Sequence, residues 1–479
     1  MKNETSSGSG LTRVLARKDV LALAFGAMIG WGWIVMTGEW IQSAGSLGAV
    51  TAFVVGGLII VLVGLTYAEL ASAMPQVGGE HVYSYRALGH FASFFCTWAI
   101  ALGYVSVVAF EAVALPTVVE HLFPNYAVGY LWTIAGWEVN ATWVAVGVAG
   151  SLVMLWINYL GIRMAALVQK LVTLLILAIG IMFITGALFE GEGATMEPLF
   201  NVENGIIGGI MTVIIMVPFM FVGFDVIPQA AEEIDLPFRE IGRVLMMSVI
   251  LAVFWYALII LGTGLMLTPE ALAESSLAVP DAMQAVFQAP WAGNLMILAG
   301  IAGILTSWNA FFVGGSRAIY ALAHAGMLPA FLGKLHPTYR TPANAIVLIG
   351  VLSCLAPFLG RPALVWLVVS GGLGIVIAYL FVAISFVVLR RREPDLVRPF
   401  RVPYGMLVGW LAVLFSLGLI AMYLPGSPSA LAPMEWGIFL GWMIIGLALY
   451  GWSRMRYGTA HSQAVMNREL AGNERHSGS

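Results

Sequence analysis

Gly26-Ala27-Met28-Ile29-Gly30-Trp31-Gly32 interrupts an otherwise apolar run from Val20 to Ile41, placing three glycines where a membrane-crossing helix would be continuous. Each glycine inside a helix costs roughly 1 kcal/mol relative to alanine. Backbone groups released from helical pairing find no water in hydrocarbon. Such a segment persists where it lines a protein cavity or a binding site, so the break marks the expected working centre of the chain.

The surrounding composition agrees with a membrane setting. Of 479 residues, 60% are hydrophobic and only 10% charged, which places the chain among polytopic membrane proteins. A crossing needs about 20 mostly apolar residues. Twelve such segments are expected, at 19–44, 47–74, 90–121, 141–160, 163–189, 205–231, 237–267, 291–324, 342–359, 362–389, 407–426 and 433–453. With an even count, both termini share one side. Lysine and arginine then fall at the N-terminus (Lys2, Arg13, Arg17, Lys18), in alternate loops (Arg86; Arg163; Arg239 and Arg243; Lys334 and Arg340; Arg390 to Arg392, Arg398 and Arg401) and in the tail. The loops after the third, fifth and seventh segments hold Glu120, Glu138, Glu190, Glu192, Glu197, Glu203, Glu270, Glu274 and Asp281, with no lysine or arginine. By the positive-inside rule both termini are expected in the cytoplasm of a cell's inner, cytoplasmic membrane, with Arg361 the only basic residue outside.

Polar tails are expected at 1–18 and 454–479, and no cleavable signal peptide is expected because the first apolar run is too long. Cys96 and Cys354 lie in apolar segments and no HExxH or CxxC spacing occurs. No metal centre or other cofactor is therefore expected. No GxxxxGK[ST] loop is present to power transport by ATP.

A second interruption answers the first. In the sixth segment, Pro218-Phe219-Met220-Phe221-Val222-Gly223-Phe224-Asp225 is followed by Pro228, and proline and glycine here predict another discontinuous helix. The two broken segments open two five-span blocks, 19–189 and 205–389, leaving two further helices at 407–453. An odd number of spans per block makes the blocks face opposite ways. Broken helices at corresponding positions of inverted halves point to a secondary transporter with its site near the midplane.

The residues resemble the amino acid, polyamine and organocation (APC) transporter superfamily, amino acid permease type. The resemblance covers almost the whole chain and rests on four ordered motifs: Gly26 to Gly32, Tyr67-Ala-Glu-Leu through Pro75-Gln-Val-Gly-Gly-Glu-His-Val-Tyr83, Gly223-Phe-Asp with Ala231-Glu-Glu, and Arg317 through Gly326-Met-Leu-Pro329. It implies an all-α polytopic fold of twelve transmembrane helices in a five-plus-five inverted repeat, leucine-transporter-like. It further implies a non-enzymatic secondary active transporter that moves a small amino acid or related amine by alternating access.

Free amides around Trp31 and Gly32 suit a substrate carboxylate, and free carbonyls near Met28, Phe219 and Val222 suit an ammonium. The resemblance assigns these backbone roles across Met28, Ile29, Gly30, Trp31, Gly32, Phe219 and Val222, and makes the Phe219 ring a gate over the substrate. Close helix packing is the other reading of the glycines. Trp31 stands where the family carries a small or hydroxyl residue. Its ring could narrow the pocket toward small substrates, hold an amine by cation–π attraction, point into lipid, or pack against another span.

Glu111, with Tyr104 seven residues earlier on the same face of the third span, is the leading buried charge. It could pair with a substrate ammonium, carry a coupling proton or make a structural hydrogen bond. Asp225 reads as a half-helix cap. Glu232 and Glu233 could hold an inner gate with Arg13, Arg17 or Lys18. Glu69 reads as structurally paired and Glu39 as interfacial. Many family members resemble each other in carrying a lysine in the fifth span, where Ile176 stands here; Lys170 reads as interfacial. The coupling ion, proton or sodium, stays open. The expected partners are a small-molecule substrate and membrane lipid, with no nucleic acid. A permease or antiporter for an amine or polyamine lacking a carboxylate is the alternative reading.

Overall fold

The computed structural model describes residues 11, 13–123, 125–201, 205–275, 277–427, 430–458 and 464–465. Among them, eleven helices are long and apolar enough to cross a membrane: Arg17–Val35, Ser46–Ala73, His90–Glu120, Ala141–Leu160, Met164–Glu190, Ile206–Gln229, Phe238–Met266, Pro290–His324, Ala363–Arg392, Gly405–Tyr423 and Pro433–Tyr457. The segment expected at 342–359 is a shorter apolar helix, Ala343–Leu355, that tightens into a 3-10 turn at Ala356–Leu359. Pro357 sits in that turn, where it supplies no amide to continue the α-helical ladder. Most of residues 1–18 and 454–479, and Glu203, lie outside the described residues.

One connection departs from an all-helical expectation. Between the third and fourth spans, Tyr130–Ile134 pairs antiparallel with Trp137–Asn140. Ala135 and Gly136 both turn with positive φ, 47° and 79°, the backbone that a two-residue hairpin turn demands. Hairpin residues Tyr130, Leu131 and Trp132 are exposed. Apolar helical periodicity gave no warning of this short element in a loop.

Both expected helix breaks are present. The first span is helical over Arg17–Met28 and again over Gly32–Val35, and Ile29 leaves helical geometry at φ −111° and ψ 53°. The sixth span is helical over Ile206–Ile214, Val217–Phe221 and Val226–Gln229, with Val222 extended between the last two. Gly223 adopts φ +136°, and a Cβ there would lie 2.6 Å from Ala27 Cβ and 3.0 Å from the Met28 amide nitrogen. Only glycine tolerates both the backbone conformation and that approach. The two breaks therefore touch each other.

Around them, Phe238–Met266 packs along Ser46–Ala73, and Ala363–Arg392 packs along the third span. The last span is pinned by a reciprocal tryptophan pair. Trp98 and Trp442 stack at 4.5 Å, and each indole N–H donates to the other's carbonyl, at 2.8 and 2.9 Å.

Candidate functional site

A small cavity of about 20 Å³ lies at the meeting of the two breaks, room for about one water molecule. Met28, Gly30, Trp31, Gly32, Phe219 and Val222 line it from the broken spans, and Glu111 lines it from the third. Among the described residues, no backbone carbonyl pairs with the amides of residues 29–33, and no backbone amide pairs with the carbonyls of Phe219 or Val222. The breaks thus present donors and acceptors to one space.

Glu111 is buried and accepts a hydrogen bond from the Ser307 hydroxyl. The Trp31 backbone amide also faces this carboxyl, while its Oε2 has no hydrogen-bond partner. A Cβ on Gly30 would stand 2.7 Å from Glu111 Oε1 and 2.8 Å from Ser307 Oγ. Gly30 is thus the residue that lets Glu111 and Ser307 reach the opened backbone. Likewise, a Cβ on Gly32 would stand 2.6 Å from the Met220 sulfur.

The Met28 carbonyl is already engaged. Tyr256, from the seventh span, donates to it at 2.7 Å and reaches the Met220 carbonyl at 3.2 Å. Phe219 meets Phe110 edge-on at 5.9 Å across the cavity. The Trp31 ring lies against Gly300 of the eighth helix rather than over the cavity, and Trp33 packs edge-on to Trp255 at 5.3 Å. Of the readings the sequence leaves open for the Trp31 ring, packing against another span is the one observed.

Two expected residues lie apart from this cavity. Ile29 is buried with its carbonyl against Gly303. Tyr104, a helix face shared with Glu111 notwithstanding, donates to Asp225 Oδ2 at 2.5 Å. The two residues are two turns apart, so they reach different depths. Asp225 does not cap the following half-helix; its Oδ1 accepts from the Gly223 amide at 2.7 Å, bracing the break itself.

The face bearing the N-terminus is closed by different partners from those expected. Glu233 pairs with Arg317, not with Arg13, Arg17 or Lys18, through Nε to Oε2 at 2.8 Å and Nη2 to Oε1 at 3.0 Å. Both side chains are buried. The Glu233 carbonyl accepts from the amides of Val14 and Leu15, and the Asp235 amide donates to the Leu15 carbonyl, each at 2.9 Å. The N-terminal segment is thereby stitched over the pair. Glu232 accepts from the Val77 amide at 3.2 Å, and Arg17 instead approaches Glu240 at 3.8 Å. Glu69 is held by Arg390 and Arg398, at 2.5 and 3.1 Å, and Glu39 is exposed. On the same face, burial and the nearby Asp225 carboxyl push the Glu80 carboxyl well above its ordinary range. Burial pushes the neighbouring His81 imidazole down to about 3.

An amino acid permease family model matches residues 15–449. The chain belongs to the amino acid permease family. The permease is 27% identical to the branched-chain amino acid permease BcaP of Bacillus subtilis (strain 168), with 96% of each chain covered. It is 26% identical to the methylthioribose transporter of the same organism, over 93% of this chain and 94% of that one. It is also 26% identical to the large neutral amino acids transporter small subunit 2 of Oryctolagus cuniculus, over 93% of this chain and 82% of that one. These relatives are transporters, and the permease is a multi-pass membrane protein rather than an enzyme.

Several cavity residues of the permease escaped the sequence reading, notably Tyr256, Ser307, Phe110 and Met220. Tyr256, Ser307 and Phe110 sit on unbroken helices, where a hydroxyl or aromatic at mid-span gives no local signal, and Met220 lies in the broken sixth span without a polar group to mark it. In the fifth span, Ile176 is buried, and Gln169 and Thr173 reach the Ala22 carbonyl of the first span. Gln169 Nε2 donates to the Ala22 carbonyl at 3.2 Å, while Lys170 pairs with Asp19 at 3.1 Å, half out in solvent.

Proposed function

We propose that the permease is a secondary active transporter for a small amino acid or related amine, working by alternating access across the cytoplasmic membrane. The observation that carries this is the facing of two broken spans across one cavity, with amides from the first and carbonyls from the sixth that no backbone group pairs among the described residues. An amino acid carries both complementary groups. Met28, Gly30, Trp31, Gly32, Phe219 and Val222 supply the backbone of the site, Ile29 joins them along the chain without lining the cavity, Glu111 supplies the charge, and Tyr104 braces the sixth-span break through Asp225. At about 20 Å³ the cavity must widen to admit a substrate. Phe219 gates it on one side, and Glu232 and Glu233 seal the other.

The framework for that motion is twelve crossings, with 343–359 counted as the ninth, both termini cytoplasmic, inverted repeats at 19–189 and 205–389, and the pair at 407–453 outside the repeat. Reciprocal packing supports the repeat. The first span packs on the fifth as the sixth packs on Ala363–Arg392, and the third packs on Ala363–Arg392 as the eighth packs on the fifth.

An amine substrate lacking a carboxylate is favoured by one observation: the Glu111 carboxyl faces the Trp31 amide that a substrate carboxylate would use. Uptake of radiolabelled amino acids, and separately of radiolabelled amines, into proteoliposomes with and without a proton or sodium gradient tests both versions. Inhibition by neutral zwitterionic amino acids supports the leading reading. Inhibition by amines alone would replace it with the second, and absence of any uptake would defeat both.

A further inference from the structure

Below the cavity, on the face that carries the N-terminus, Glu80, Asp225 and Gln229 converge with Tyr67, Tyr104 and Tyr379, and all six are fully buried. They arrive from five elements: the second, third and sixth spans, the short helix Glu80–Leu88 and the helix Ala363–Arg392. Phe224 fixes two of the phenols, meeting Tyr67 edge-on at 5.3 Å and stacking on Tyr379 at 5.6 Å. The hydroxyls of Tyr67 and Tyr379 lie within electrostatic reach of both carboxyls.

Part of this cluster is satisfied internally. Asp225 accepts from Tyr104 and the Gly223 amide with its two oxygens, and Gln229 donates its amide to Glu80 Oε2. Among the described residues, Glu80 Oε1, Gln229 Oε1 and the hydroxyls of Tyr67 and Tyr379 make no well-formed hydrogen bond, and the Tyr67 hydroxyl interacts only with the Glu80 carboxyl. Native interiors leave few buried polar atoms unsatisfied, so such a group demands a physical reason. Buried Arg317 is already taken by Glu233, and the partly buried Arg390 and Arg398 by Glu69. A buried carboxylate without a counter-charge is strongly disfavoured.

One positive charge would answer both deficits. Carboxylate, amide carbonyl and phenol oxygens are hard donors suited to an alkali cation. The same acceptors suit the three N–H donors of an ammonium group. Both Asp225 oxygens are engaged, so Glu80 supplies the single open carboxylate oxygen, which favours a monovalent over a divalent occupant.

We propose that Glu80 Oε1, Gln229 Oε1 and the hydroxyls of Tyr67 and Tyr379 form a second station for one monovalent cationic group, an alkali ion or the ammonium of a substrate leaving the cavity. Along the sixth span, Val222 lines the cavity, Asp225 braces the break above the station, Gln229 belongs to the station, and Glu233 closes the face beyond it. A charge passing from cavity to gate would meet them in that order. The ammonium version rests on the transport reading; the alkali-ion version does not, so the two fail separately.

Thermal unfolding of the purified full chain in nanodiscs tests the station. Sodium, potassium and methylammonium chlorides are each titrated against N-methyl-D-glucamine chloride at constant ionic strength. A ligand that binds the folded state raises its Tm saturably. Saturable stabilisation by sodium or potassium assigns an alkali ion, and stabilisation by methylammonium alone assigns the ammonium. Glu80→Gln should raise the midpoint concentration about tenfold or more, the loss of one strong charge-assisted contact. Tyr379→Phe, which keeps the ring, should raise it less and decides the matter if the Glu80 variant fails to fold. No saturable effect from any of the three cations, or a midpoint unchanged in a folded Glu80→Gln or Tyr379→Phe protein, overturns the proposal. Loss of amino acid uptake with cation stabilisation intact would count against the transport reading alone.

Discussion

Replacing Arg317 by methionine should open the N-terminal face. Arg317 and Glu233 are joined by two charge-assisted hydrogen bonds, at 2.8 and 3.0 Å, with both side chains buried. Bonds to charged groups contribute about 1.5–3 kcal/mol each, and removing one member of a buried pair costs about 3–5 kcal/mol. If about 3 kcal/mol falls on the closed state alone, the closed-to-open equilibrium moves roughly 100-fold. The amides of Leu15 and Asp235 report this directly, because their bonds to Glu233 and Leu15 stitch the N-terminal segment over the pair. Hydrogen exchange at these two amides should accelerate roughly 100-fold in Arg317→Met while amides in the third span stay protected. The double variant Arg317→Met, Glu233→Gln should exchange more slowly than the single one, since no uncompensated charge remains. Unchanged exchange in the single variant, or strictly additive effects in the double, would refute the reasoning that this pair holds the face shut.

Three further outcomes are expected. Glu111→Gln keeps an acceptor for Ser307 but removes the cavity's charge, and should weaken substrate binding about tenfold by calorimetric titration; an unaltered affinity and pH profile would return Glu111 to a structural role. Tyr256→Phe strips the bond from the Met28 carbonyl and should cost about 1–3 kcal/mol of stability in denaturant titrations, whereas a neutral effect would mean water replaces the hydroxyl. His81 is pushed down to about 3 from an ordinary 6.5, so the unfolded chain binds its proton first. Its contribution to stability is complete above pH 6.5 and is lost as pH falls toward 3, by up to about 1.4 kcal/mol per unit. Glu80, shifted upward, titrates with the opposite sign, so the difference between wild type and His81→Gln is the quantity to follow. A parallel pair of pH profiles would contradict the assignment.

The breaks were readable because glycine and proline act locally: Gly30, Gly223 and Pro218 disturb the helix in which they stand. Which groups the breaks meet was not readable in the same way. Ser307 reaches Glu111 across 196 residues and Arg317 reaches Glu233 across 84. Nothing near Glu233 distinguishes Arg317 from Arg13 or Arg17, which lie nearer the opening of the first span. Burial decides between them, since a desolvated carboxylate takes the arginine that can also be desolvated. Helical periodicity placed Tyr104 and Glu111 on one face but not at one depth, and two turns of helix carry Tyr104 from the cavity to Asp225. Trp31 shows a similar limit: its backbone borders the cavity while its ring lies against Gly300.

Equilibrium binding of a labelled neutral amino acid to wild type and Gly30→Val in nanodiscs tests the central claim most directly. A side chain at position 30 would collide with Glu111 and Ser307 and fill the space between the breaks. Saturable binding to the wild type, abolished in a Gly30→Val protein that remains folded by circular dichroism, is the predicted result. Equal binding to both proteins would contradict a substrate site at the meeting of the broken spans.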